Sequence, residues 1–234
     1  NIIQLNSLLP PHEWSEEKKQ LLEERMGRPK NSIVNHKTID LFDVIVTNPP
    51  FGSKIPINDQ QILEQFDLAH SWVKDQHGNW LMNSTKLRGS VPPEQIFIER
   101  IVQLLRPGGR AAIVLPDSIF SSPGLEFIRV WLMRHTHIIA SIDLHADTFQ
   151  PHNGTQCSIL FVVKKTTEEL QEEQNLGFIP DNQIFMAMVD HIGHDKRGNT
   201  IYKRDEEGNL ILRHEENDVR EVDATTGEVT YRKE

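Results

Sequence analysis

The chain has 234 residues, of which 37% are apolar, and a formal net charge of −9. That size supports one large domain with an appendage. No stretch approaches the roughly 18 consecutive apolar residues that a membrane-spanning helix needs, and the start carries no secretory signal pattern. The acidic balance argues against a large DNA-binding face, because phosphate contacts require Lys and Arg, but not against a nucleic-acid enzyme whose grip comes from a partner or from another part of a longer chain.

The first residue is Asn, and Ile2 to Leu5 already reads as a strand, so the chain reads as a piece of a longer protein. Ser7 to Trp14 is a loop. Ser15 to Arg25, rich in Glu, Lys, Gln and Leu, predicts a short polar helix with a solvated charged face. Arg28 to Thr38 reads as loop. Phe42 to Thr47 is a near-continuous apolar run, which predicts a strand covered on both faces. Ile62, Phe66, Ala69 and Val73 fall at helical spacing and predict a helix over 58–74. His77 to Ser90 lacks periodicity and reads as an irregular loop.

Pro92 and Pro93 open a helix at the position proline tolerates. Ile96, Phe97, Ile101, Leu104 and Leu105 form its stripe, and Pro107, Gly108 and Gly109 stop it. Arg110 to Leu115 is the next strand, Leu125 to Arg134 an amphipathic helix, His137 to Leu144 a strand. Cys157 to Lys164 is a strand reached through a polar loop, His145 to Gln156, with no helix pattern. Strand–helix alternation predicts an α/β fold with a mostly parallel sheet; the helix-free connection predicts an antiparallel strand pair at its end. These elements make a first domain, 1–165. A charged connection, 166–182, leads to a small β-rich extension, 183–234, with a strand at Ile184 to Val189 and two short strands around Glu206 to Asn209.

Phe42 to Lys54 reads FDVIVTNPPFGSK. Two successive prolines have no N–H to give a sheet ladder, so the strand ends abruptly and a stiff extended corner follows. In an open parallel sheet, ligands sit beyond the carboxyl ends of the strands. There Asn48 offers a side-chain oxygen, Pro49 a carbonyl, Pro50 rigidity and Phe51 a ring. Two acceptors held still suit the hydrogens of one planar amine, and the ring suits stacking on what carries it. An exocyclic amine on adenine is a poor nucleophile because its lone pair is delocalised. Two acceptors on its hydrogens favour a tetrahedral nitrogen, and no side chain has to titrate. The bland alternative for Asn-Pro-Pro is a strand-terminating turn.

DVIVTNPPFG resembles the catalytic motif of amino-group (N6-adenine) DNA methyltransferases. Pro92 to Phe120, FQPHNGTQCSILFVVKK and IFMAMVDHIGHDKRGN are similar to the modification subunit of type I restriction–modification systems, and the resemblance spans roughly 1–202. It implies part of a Rossmann-like class I methyltransferase core that uses S-adenosylmethionine (AdoMet) on an adenine flipped out of DNA. It also implies that Asn48 and Pro49 hold the amine and Phe51 stacks on the base, with a specificity subunit, and in some systems a restriction subunit, as partners. The family's glycine loop for the methionine end of AdoMet has no counterpart, since no G-x-G occurs in the sequence. Asn6, with Ser7, stands where the family places an acidic residue near the cofactor's adenine; either a polar contact or a loop cap fits it. The isolated chain is therefore expected to bind AdoMet weakly or not at all and to be inactive.

Other residues point less sharply. Cys157, the single cysteine, has apolar neighbours and no adjacent base, which predicts a buried structural thiol in a reducing, cytoplasmic setting. His191 and His194 lack a second cluster at ligand spacing, so no metal site is expected. Asp117 and Ser118 suit a helix cap better than a substrate contact. Lys54, Lys86 and Arg88 read as solvated charges before phosphate ligands, and Trp72 and Trp80 as packing residues. Two rivals remain: a methyltransferase acting on another planar amine, such as a protein glutamine or an RNA base, and a non-catalytic assembly module.

Overall fold

A computed structural model of the chain describes residues 3–30, 32–33, 39–52, 56–210, 218–222 and 229–233. They fall into two compact units, 1–191 and 192–234. In chain order the first unit carries α1 (Glu16–Arg25), β1 (Phe42–Thr47), α2 (Gln60–Leu63), β2 (His70–Lys74), β3 (Trp80–Leu87), α3 (Pro93–Leu104), β4 (Leu105–Pro116), α4 (Ser118–Ser121) and α5 (Glu126–His135). It ends with β5 (Thr136–Asp143), β6 (Cys157–Lys164), α6 (Thr167–Leu176) and β7 (Phe185–Met188).

Five strands form one sheet in the order β1-β4-β6-β5-β7. β1 pairs with β4, and β5 with β7, in parallel; β6 runs antiparallel to both of its neighbours. Four strands thus share a direction and β6 opposes them, which is the α/β, mostly parallel arrangement with an antiparallel pair that the sequence predicts. α3 and α5 cover one face. Ile98, Ile101 and Val102 of α3, with Phe127, Ile128, Trp131 and Leu132 of α5, pack on Ile113, Leu115, Leu160 and Val162. Fully burying each such side chain contributes roughly 1.5–3 kcal/mol. α3 opens with Pro93 at its first position and runs straight into β4, while the carbonyls of Gln103 and Leu104 accept the amides of Ile39, Asp40 and Leu41. That contact delivers the chain into β1.

Several expectations are corrected. β1 is not covered on both faces: Val44 is 63% and Val46 79% exposed. A continuous apolar run marks a strand but carries no information about which face a helix will cover. Ile3 to Asn6 form no strand, and Ile2 lies outside the described residues; Ile3 and Leu5 instead pack beside Trp14, Leu22, Ile33, Ile39 and Leu41. The single helix expected over 58–74 breaks after Leu63. Asp67 and Leu68 give their amides to the buried Glu99 carboxylate at 3.0 and 2.8 Å rather than to preceding carbonyls. A side chain from α3 has taken over the helix's own hydrogen bonds, and no helical spacing reveals that.

The loop expected over 77–90 is largely strand. β2 and β3 make an antiparallel hairpin whose turn is set by Asp75, which accepts the amides of His77 and Asn79. Gly78 supplies the positive φ of 83° that this turn requires. Trp72 and Trp80 pack on Phe127, with centroids 5.8 and 6.0 Å away. In the second unit the same turn chemistry recurs at Asp195–Asn199 and Asp205–Asn209. The strand pair expected around Glu206 to Asn209 is there a single bridge between Arg204 and Leu210, with residues 211–213 outside the described set. β8 (Asp218–Val222) and β9 (Val229–Lys233) form an antiparallel pair.

Candidate active site

β1 carries the chain to the carboxyl edge of the sheet, where Thr47 pairs with Ile113 as its last partner. The prolines beyond it have no N–H to extend the ladder. Where β1 begins, its register against β4 slips between Phe42 and Val44, and Gly109 permits the close approach. A Cβ there would stand 2.8 Å from the Arg106 carbonyl oxygen and 3.0 Å from that of Phe42.

Asn48 is exposed, Pro49 buried, Pro50 exposed and Phe51 half-buried. The Asn48 amide makes no hydrogen bond among the described residues. Gly52 turns the chain at a φ of 120°, a conformation strained for any side chain. Its N–H donates to Glu94 Oε2 at 3.0 Å. Glu94 is buried on the first turn of α3, where the partial positive charge of the helix N-terminus favours a carboxylate. Three attachments therefore fix the corner: the β1–β4 ladder before it, buried Pro49 within it, and the Gly52–Glu94 bond after it. Asn48 and the Phe51 ring are left accessible.

The loop between β5 and β6 reaches the same place. Phe149 meets Phe51 edge to face, with ring centroids 6.3 Å apart and planes inclined at 67°. This loop is built from internal bonds. Thr148 donates its amide and hydroxyl to the His145 carbonyl, and the amides of His152 and Asn153 donate to that of Phe149. At its far end Gln156 Nε2 donates to Asp143 Oδ1 at 2.9 Å and to the Leu144 carbonyl. Phe149 escapes sequence reasoning. Its one signal is an aromatic residue in an otherwise polar loop, and only the sheet order shows that this loop returns to Phe51.

The remaining candidates divide. Asn6 Oδ1 accepts the Leu8 amide at 3.2 Å, an Asx turn that caps its own loop; Ser7 is the half-buried neighbour in that turn. The turn is pinned to α3, since the Leu8 carbonyl accepts from Arg100 at 3.1 Å. Burial lowers the Arg100 guanidinium to about 10, against the nearby charge of Glu99. The sequence favours a helix cap at Asp117, but its side chain makes no cap bond to α4; its Oδ1 accepts from Ser158 on β6 at 2.9 Å instead. Burial raises the Asp117 carboxyl, the Ser158 bond opposes this, and repulsion from Asp143 adds to it. Cys157 is buried, and burial, with the charge of Asp117, raises its thiol to about 11. Arg88 is no solvated charge: it binds the Leu68 carbonyl and Gln95. Lys86 is exposed, and Lys54 lies outside the described residues. Among the described residues no group of three metal-ligating side chains occurs, and no helix is long and apolar enough to cross a membrane.

A corner with an open amide, a stiff backbone and two aromatic rings is suited to a flat ring bearing an amine. The N-6 DNA Methylase family profile matches residues 12–207. The methylase subunit of the type I restriction enzyme EcoEI from Escherichia coli is 28% identical over 123 residues, 52% of this chain and 21% of that protein. The EcoKI methylase subunit from Escherichia coli K12 is 27% identical over 133 residues, 56% of this chain and 21% of that one. The chain thus spans about a fifth of the length of these relatives. Among solved structures, a class I S-adenosylmethionine-dependent methyltransferase from Listeria monocytogenes superposes with a TM-score of 0.48 at 18% identity, covering 69% of this chain and 41% of that one. A type I modification subunit from Vibrio vulnificus superposes at 0.47 and 16% identity, covering 89% and 40%. With the family profile matching well over half of its length, this chain belongs to the N-6 DNA methylase family.

Proposed function

We propose that the Asn48–Phe51 corner receives an adenine flipped out of DNA and holds its N6 amine for methylation. On this reading the chain is part of a site-specific adenine DNA methyltransferase, the modification subunit of a type I system with a specificity subunit as partner. The observation that carries it is the exposed, unengaged Asn48 amide at the carboxyl edge of the sheet, next to the Phe51–Phe149 pair. Asn48 Oδ1 and the Pro49 carbonyl accept the two amine hydrogens, drawing the nitrogen toward a tetrahedral form with its lone pair localised. Phe51 stacks on the base, and Phe149 forms a second wall. The amine proton departs after the methyl group has been accepted, so no residue of the corner needs to titrate.

AdoMet supplies the methyl group in such a reaction, but the described residues do not fit most of it. The Asn6 amide is engaged in its own turn. A Cβ added at Gly109 would collide with main chain, and the room this glycine leaves is taken by the backbone of β1 and not by a ligand. On this reading the described residues serve the base more than the donor. Two measurements test this. Calorimetry of the isolated chain is expected to show no micromolar AdoMet binding, and such binding would refute the division of labour. An intact relative carrying this segment, offered DNA, RNA and protein, is expected to methylate adenine in DNA; methylation of RNA or a protein amide instead would overturn the substrate.

A further inference from the structure

The face of the sheet that carries α5 is not filled out to its β7 edge. There an open groove of about 1120 Å³ lies between α5 and β7. Met186 and Met188 of β7, with Leu160 of β6, form its floor, and Phe120, Val130 and Met133 its wall. The β-ladders put Met186 and Leu160 on the same side, each opposite Ser141. Met186 is 71% and Met188 75% exposed. Neighbouring exposed apolar side chains of this size mark an interaction surface, and methionine suits one because its unbranched thioether repacks around a partner.

One end of the groove has a definite charge. Asp117, Asp143 and Asp190 stand after β4, at the end of β5 and after β7, all at the carboxyl edge of the sheet, and all three line the groove. Asp117 and Asp143 accept hydrogen bonds from the neutral Ser158 and Gln156, and among the described residues none of the three forms an ion pair. The cation in the lining, Arg129, gives its guanidinium to the carbonyls of Ile119 and Ser122 at 2.8 and 3.1 Å. Glu126, also on the rim, is paired with Lys74 at 2.8 Å. Burial is the main cause of the upward shift of the Asp117 carboxyl, the Ser158 bond opposes it, and the charge of Asp143 adds to it.

We propose that this groove seats an amphipathic helix of a partner protein, its apolar face on the methionine floor and a Lys or Arg over Asp117, Asp143 and Asp190. An apolar trough with one acidic end complements that chemistry and disfavours an acidic helix. Nothing in it depends on the chemistry at Asn48.

The test uses the full chain and a synthetic peptide of about 18 residues, long enough to form a helix on binding, with leucines on one face and lysines on the other. A control peptide carries glutamates in place of the lysines. Fluorescence anisotropy is expected to show the lysine peptide binding at least about tenfold more tightly than the control. Met188→Asp should abolish binding, and Asp143→Asn with Asp190→Asn should erase most of the preference. If Met188→Asp shifts the thermal melt, Met186→Glu, also at an exposed site, serves in its place. Val46→Asp, on the opposite face of the sheet, should leave binding unchanged. Equal affinity for the two peptides, indifference to both methionine variants, or an equal loss with Val46→Asp overturns the proposal. So does a concentration-dependent dimer in light scattering that Met188→Asp dissolves, because a second copy would then be the occupant.

Discussion

Glu94→Ala tests how the corner is held. In the native chain the Gly52 N–H donates to a buried carboxylate at 3.0 Å, and hydrogen bonds to charged groups contribute roughly 1.5–3 kcal/mol net. Alanine removes the acceptor and leaves that N–H without a partner. Ile96, Ile98 and Ile101 keep α3 packed, so the loss falls on the segment after Asn48 and not on the whole fold. If opening at Gly52 becomes easier by that amount, its amide exchange rises by about 10- to 150-fold. Hydrogen exchange followed by NMR reads this directly, against core amides of β4 as the internal standard. Glu94→Gln keeps an acceptor oxygen and should recover much of the protection. Unchanged exchange at Gly52 in the alanine variant, or the same rise in both variants, would refute the idea that Glu94 fixes the corner.

Gly109→Ala puts a Cβ 2.8 and 3.0 Å from two carbonyl oxygens of the β1–β4 junction; a loss of about 1–3 kcal/mol in urea unfolding is expected, and unaltered stability would contradict it. Burial holds the His135 imidazole below its ordinary value, with the Trp131 carbonyl bond opposing. The unfolded chain then takes up a proton first, so stability is full above about pH 6.5 and declines as pH falls toward the folded value. His135→Gln should flatten that decline, and an unchanged pH profile would exclude the assignment. If the corner receives a flipped adenine as proposed, Phe149→Ala in an intact relative carrying this segment should weaken binding of a duplex with its target adenine by about 5- to 150-fold, the range of one base–aromatic stack. A duplex abasic at the target should bind both proteins alike; an equal loss there would mean that Phe149 only supports the loop.

How far the sequence could be read depended on which interactions are local. α3 was legible because its start signal and stripe are local, although the chain turns into β4 at Leu105, before Pro107–Gly109 where a stop is expected; β1, β4, β5 and β6 were legible because their apolar runs are bounded by Gly, Pro or polar loops. The antiparallel placement of β6 followed from a helix-free connection. The short helix α2 and the β2–β3 hairpin were not legible: Glu99 sits 31 residues from the amide it captures at Leu68, and Trp72 and Trp80 are held by Phe127. The corner itself was visible because proline chemistry is local. Its anchor, Glu94, and its aromatic neighbour, Phe149, were not, since each arrives from a distant element. The exposed Val44 and Val46 show the same limit from the other side, because apolarity predicts a strand without predicting what lies over it.

The central claim is that Asn48 presents an acceptor to the amine of an unstacked adenine. Single-turnover methylation by the intact enzyme, wild type against Asn48→Ala, tests it most directly, with 2-aminopurine at the target position reporting base flipping in parallel. Loss of one preorganised hydrogen-bonding group predicts a fall in methyl transfer of about 10²–10³-fold with the flipping signal retained. Near-normal methylation by Asn48→Ala would contradict the account.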